Sequence, residues 1–182
     1  RDVKPANILL APGVGADQGD HAYLTDFGLT KRGGSDSSLT AAGGFAGTLA
    51  YIAPEQVDGR EVDGRADQYS LACMAFEALT GQVPFERETD IATAMAHIKD
   101  PPPSAIALRP ALPPGVDAVL SRAMAKAPDD RYPTCGALVA ELRAALGVAV
   151  VTSDVTAPAL PRDRDARRWL WLGAGTLVAV AV

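Results

Sequence analysis

The apolar positions fall into two short runs followed by four longer helical patterns. Residues 8–11 (Ile-Leu-Leu-Ala) and 22–25 (Ala-Tyr-Leu-Thr) read as short strands, and residues 12–20 between them are rich in turn-forming Gly, Pro and Asp. A hairpin with a long loop is predicted. Residues 33–47 are rich in Gly, Ser and Ala, with few large apolar groups, and are expected to form a mobile loop. From Ala66 to Leu79 nearly every residue is apolar or small, which predicts a buried helix, and Gly81 fits just past its end. Three more faces recur at helical spacing: Ile91, Ala94, Met95 and Ile98; Val116, Val119, Leu120 and Ala123; and Leu138, Val139, Leu142 and Leu146. Each is expected to turn inward around the buried helix. Pro101–Pro103 and Pro113–Pro114 punctuate the connections, and no internal repeat is present.

Composition narrows the class. The chain has 182 residues, 48% of them apolar, enough for one domain with a sizeable core and some tail. The net charge of −5, without a long basic run, argues against nucleic acid as a partner. Cys73 and Cys135 are far apart and belong to no Cys/His cluster, so no structural metal site is expected; both read as free core thiols. His21 and His97 read as ordinary exposed or helix-face histidines.

The chemistry is concentrated near the start. Arg1-Asp2-Val3-Lys4-Pro5-Ala6-Asn7 precedes the first strand, Asp26-Phe27-Gly28 follows the second, and Gly47-Thr48 and Tyr51-Ile52-Ala53-Pro54-Glu55 come next. In this order the segments resemble the catalytic loop, metal-binding loop and end of the activation segment of protein kinases, here of the bacterial serine/threonine (Hanks) type. Singly, each motif is more often an ordinary turn, ion pair or cap; the ordered set carries the resemblance. Asp67 opening the buried helix, Pro84-Phe85 after it, and Arg131 between the last two helices resemble further landmarks of that family. The resemblance covers about residues 1–146.

It implies an α+β, predominantly helical fold: a kinase C-terminal lobe (1–147) lacking the N-terminal lobe. It makes Asp2 the catalytic base and lets Lys4 set positive charge against the transferring phosphoryl group. Asn7 and Asp26 would hold Mg2+, a hard cation suited to oxygen ligands, with ATP as phosphoryl donor. Lys4 is similar to the serine/threonine rather than the tyrosine pattern, and Thr48 would dock the protein substrate. Glu55 is implied to pair with Arg131, and Asp67 to brace the catalytic loop; all three are structural. Arg1 would bind a phosphate on the activation segment, with Ser35, Ser37, Ser38 and Thr40 as acceptors and Thr40 favoured. An unmodified Ser/Gly-rich loop is the alternative.

Residues 148–168 read as a juxtamembrane linker whose arginines cluster just before Trp169. Residues 169–182 are uncharged; as a helix they would span about 21 Å against a hydrocarbon core of ~30 Å. The favoured reading is a truncated single-pass membrane helix with the kinase lobe cytoplasmic; a buried or interfacial helix is the alternative. The chain opens on Arg1 rather than Met and ends inside the apolar run, so a piece of a longer protein is expected, and a kinase dimer is possible. Without an ATP-binding N-terminal lobe the piece is expected to be inactive and prone to aggregate. The competing function is a pseudokinase or scaffold receptor; intact Asp2, Lys4, Asn7 and Asp26 favour the active enzyme.

Overall fold

The computed structural model describes residues 3–12, 21–25 and 49–148. The hairpin is present: β1 (Ile8–Ala11) pairs antiparallel with β2 (His21–Leu24), with Ile8 opposite Leu24 and Ala11 opposite His21. Its apolar side chains stay largely in solvent, Leu9, Leu10 and Tyr23 each being more than half exposed. All other regular structure among the described residues is helical. It comprises α1 (Pro54–Val57), α2 (Gly64–Thr80), α3 (Asp90–Lys99), α4 (Ala105–Leu108), α5 (Gly115–Ala123) and α6 (Cys135–Leu146), with short 3-10 turns at Pro5–Asn7, Leu49–Tyr51 and Pro128–Asp130.

The helix ends are written into the chain. A side chain accepts a hydrogen bond from a first-turn N–H at four starts: Asp63 for α2, Thr89 for α3, Ser104 for α4 and Thr134 for α6. Such caps satisfy donors that the helix itself cannot. Gly81 and Gly147 end α2 and α6 in the left-handed conformation, with φ of 80° and 69°, where a Cβ would be strained.

Helix α2 is the axis of the lobe. It packs against α4, α5, α6 and the Leu49–Tyr51 turn, while α5 also packs on α6. Tyr69, Ala72, Cys73 and Phe76 of α2 are wholly buried and meet Phe85, Val116, Leu120, Met124 and Leu138 in one core. An apolar surface on nearly every side of α2 is what lets three helices and a turn surround it.

Two inward faces differ from the sequence pattern. On α3 the buried residues are Thr93, Ala94, Ala96 and His97, while Ile91 is 76% and Met95 38% exposed. Helix α3 lies on the Leu49–Tyr51 turn and α1, and that close approach selects its small residues and His97 instead of its larger apolar ones. On α6 only Leu138 is fully buried, and Val139 is exposed. The two cysteines are free, but only Cys73 is a core thiol; Cys135 is half-buried at the start of α6. His97, expected on a helix face, is there but has no exposure.

Among the described residues no helix is long and apolar enough to cross a membrane. The segment 169–182, most of the linker 148–168 and the loop 33–47 lie outside the described residues.

Candidate functional site

Lys4, Asn7 and the base of the hairpin carry the first group of candidate residues. Lys4 is extended and half-buried; Pro5, with its φ already restricted, then starts the 3-10 turn, closed by the Asn7 N–H on the Lys4 carbonyl at 3.0 Å. Asn7 is buried to 5% exposure. Its carbonyl accepts twice from Thr25, from N–H at 2.8 Å and from the hydroxyl at 3.1 Å. These bonds extend the strand pairing by one residue and tie Asn7 to the residue that Asp26 follows in the chain. The amide oxygen of Asn7 and a carboxylate at Asp26 are the hard donors that Mg2+ prefers, so the residues present fit that ion. Among the described residues there is no cluster of three or more His, Cys, Asp or Glu side chains that could hold a metal. Arg1, Asp2, Asp26, Thr40 and Thr48 lie outside the described residues.

A second group lies in the chain after residue 48. Leu49–Tyr51 turns, Ala53 is extended, and Pro54 starts α1 with Glu55 in its first turn. Helix α2 holds this stretch at two points. Ser70 donates its hydroxyl to the Tyr51 carbonyl at 2.7 Å, and the Tyr51 hydroxyl donates to Glu77 at 2.6 Å. Burial, reinforced by the Glu77 carboxylate, pushes the Tyr51 phenol well above its usual value.

Beneath α1 lies a buried ion pair. Arg131 donates to both carboxylate oxygens of Glu55, each at 2.8 Å, and the two side chains are 0% and 3% exposed. The remaining guanidinium donors reach the carbonyls of Ala125 (2.7 Å), Arg65 (2.9 Å) and Lys126 (3.2 Å). All five N–H groups of the fork are therefore used, the condition under which a buried guanidinium is tolerated. Its carbon also lies 4.8 Å from the centre of the Tyr69 ring. Asp67 is half-buried in the first turn of α2.

A third group was not signalled by any motif. The Tyr69 hydroxyl lies 3.0 Å from His97 Nδ1, and Phe85 stacks at a tilt on the same imidazole with centroids 4.8 Å apart. Lys126 donates to the His97 carbonyl at 2.8 Å with its ammonium 4.3 Å above the Phe85 ring. Burial, with the Lys126 charge adding to it, pulls His97 down to about 4. Burial also lowers Lys126 to about 8. The sequence carried one available signal, a histidine set among alanines and threonine, but no periodicity assigns it a partner.

The described chain is thus a two-stranded hairpin followed by a helical lobe built around the buried helix α2 and carrying the buried Glu55–Arg131 pair. The protein kinase domain model matches residues 1–141, and the chain belongs to that family. It is 45% identical over 149 residues to the serine/threonine-protein kinase PknE of Mycobacterium tuberculosis H37Rv, covering 82% of this chain and 25% of that protein. It is 43% identical over 148 residues to PknJ of the same strain, covering 80% and 25%. Among solved structures, the crystal structure of the M. tuberculosis PknI kinase domain, in a point-mutant form, matches with a TM-score of 0.55 and 34% identity, over 80% of this chain and 44% of that one. The chain spans about a quarter of the length of the curated relatives it matches.

Proposed function

We propose that this chain is the catalytic C-terminal lobe of a serine/threonine protein kinase, acting when joined to an ATP-binding N-terminal lobe. The observation that carries the reading is the pair of hydrogen bonds that Thr25 donates to the Asn7 carbonyl, which holds Asn7 against the residue just before Asp26 in the chain. In this reading Asn7 and Asp26 would hold Mg2+, which would supply charge neutralisation for the oxygens of ATP, the phosphoryl donor. Asp2 accepts the proton of a protein serine or threonine hydroxyl as the phosphoryl group arrives. Lys4 sets positive charge beside that group, and Thr48 orients the incoming hydroxyl. Arg1 binds a phosphate on Thr40, ordering the segment between residues 28 and 47 through charge-assisted hydrogen bonds. Residues 169–182 anchor the protein in a membrane with the lobe on the cytoplasmic side, the arginines before Trp169 favouring that flank.

The test is autophosphorylation with Mg-ATP of a protein carrying this chain behind an ATP-binding lobe, with phosphosites mapped by mass spectrometry. Phosphate on residues 35–40 that disappears in Asp2→Asn is the expected result. Equal incorporation in both proteins would remove Asp2 as the base, and none in either would favour a binding scaffold.

A further inference from the structure

His97 is held on several sides, yet one of its nitrogens is unmet. The Tyr69 phenol is wholly buried, and burial pushes it well above its usual value, so it stays a neutral O–H. Its hydrogen-bond partner among the described residues is His97 Nδ1. We assign the phenol as donor, because Nδ1 is the acceptor it meets among the described residues, and the single proton of the neutral imidazole then sits on Nε2. Nε2 is buried as well and makes no hydrogen bond among the described residues. A buried donor without an acceptor is an unfavourable arrangement that native structures rarely keep without a reason.

What lies beside it gives that reason. The carbonyls of Leu49 and Ala50 act on this imidazole in the direction that favours an N–H, and α3 packs against their 3-10 turn. From the other side the same turn is held by Ser70 through the Tyr51 carbonyl. Helix α3, which carries the unmet donor, thus packs on the turn that begins with the two residues directly after Thr48.

We propose that His97 is a positioning residue for substrate docking: its buried Nε2–H is the donor available to the Leu49–Ala50 main chain, against which α3 packs, and so seats the backbone that follows Thr48. The proposal deepens the kinase reading and rests on it for the substrate. Tyr69 sets the tautomer that makes the contact available, so a helix remote in sequence determines how the docking segment is seated.

Two substitutions separate the nitrogens. Glutamine places an amide N–H near the position of imidazole Nε2, whereas asparagine reaches only as far as Nδ1. In the protein carrying an ATP-binding lobe, His97→Asn is expected to raise KM for a serine/threonine peptide roughly three- to tenfold, the range set by one hydrogen bond. KM for ATP should stay unchanged, and His97→Gln should recover most of the loss. Equal effects of the two variants, or a matching rise in KM for ATP, would overturn the proposal. A second measurement needs no activity: amide hydrogen exchange over residues 49–52 of the same two-lobed protein without substrate. Exchange several-fold faster in His97→Asn but not in His97→Gln is expected, and equal exchange in all three proteins overturns the contact. Where a variant fails to fold, side-chain 15N spectra of the wild type decide, since an Nδ1–H tautomer at neutral pH is incompatible with it. If wild type transfers no phosphate while the exchange difference persists, the kinase reading falls and the contact stands.

Discussion

Removing the guanidinium of Arg131 is the most informative single perturbation of this lobe. Arg131→Ala leaves the Glu55 carboxylate buried, with its side chain 3% exposed, and strips donors from the carbonyls of Arg65, Ala125 and Lys126. Breaking a buried pair from one side costs about 3–5 kcal/mol, because the remaining charge has neither water nor partner. That is a large share of the 5–15 kcal/mol or so that holds a typical domain together. For a domain of this size it lowers Tm by about 10 °C, measurable by calorimetry or by the midpoint of urea unfolding. Arg131→Lys is expected to recover little, since one ammonium has three donors and cannot span both carboxylate oxygens and three carbonyls. Glu55→Leu combined with Arg131→Met should recover part of the loss, because no charge is left unpaired, though three carbonyls still lack donors. Phosphotransfer measured well below the melting temperature should fall less than stability does, the pair lying beneath α1 rather than at the Asn7 end. A loss below about 1 kcal/mol, the level of an exposed pair, would refute the burial reasoning.

Acid should weaken the fold through His97, which titrates near 6.5 when unfolded and at about 4 in place. Between those values the unfolded chain takes up a proton that the folded chain refuses, so stability falls as pH drops from 6.5 to 4 and the loss from this group is complete below 4. The gap amounts to about 3 kcal/mol at 1.36 kcal/mol per pH unit. Urea midpoints should therefore drop more steeply over this window in wild type than in His97→Gln; parallel curves would contradict the assignment. Gly81→Ala should destabilise by about 1 kcal/mol in chemical denaturation. An added Cβ would meet nothing within 4 Å, so the whole cost comes from holding φ at +80°, and an unchanged midpoint would argue against the left-handed cap.

Whatever depends on residue order and local chemistry is legible along the chain. Ordered motifs point to the kinase family, which the family match then established. The strand run at Ile8–Ala11, the buried helix through Tyr69 and Phe76, the inward face of Val116, Val119, Leu120 and Ala123, and the stop at Gly81 follow from spacing and a residue without a Cβ. Which surfaces meet is settled only by packing. Periodicity records that α3 has an apolar stripe, but not that its neighbours are a backbone turn and a one-turn helix that admit Ala94, Ala96 and His97 and leave Ile91 in solvent. The one-turn helices α1 and α4 are too short to show any period. Resemblance could name Glu55 and Arg131, yet only the fold brings residues 76 apart to 2.8 Å and supplies the three carbonyls that complete the fork. Nor does any local pattern pair Tyr69 with His97, which stand 28 residues apart. A buried polar group is satisfied by whatever the packing brings to it, and that is a property of the assembled lobe.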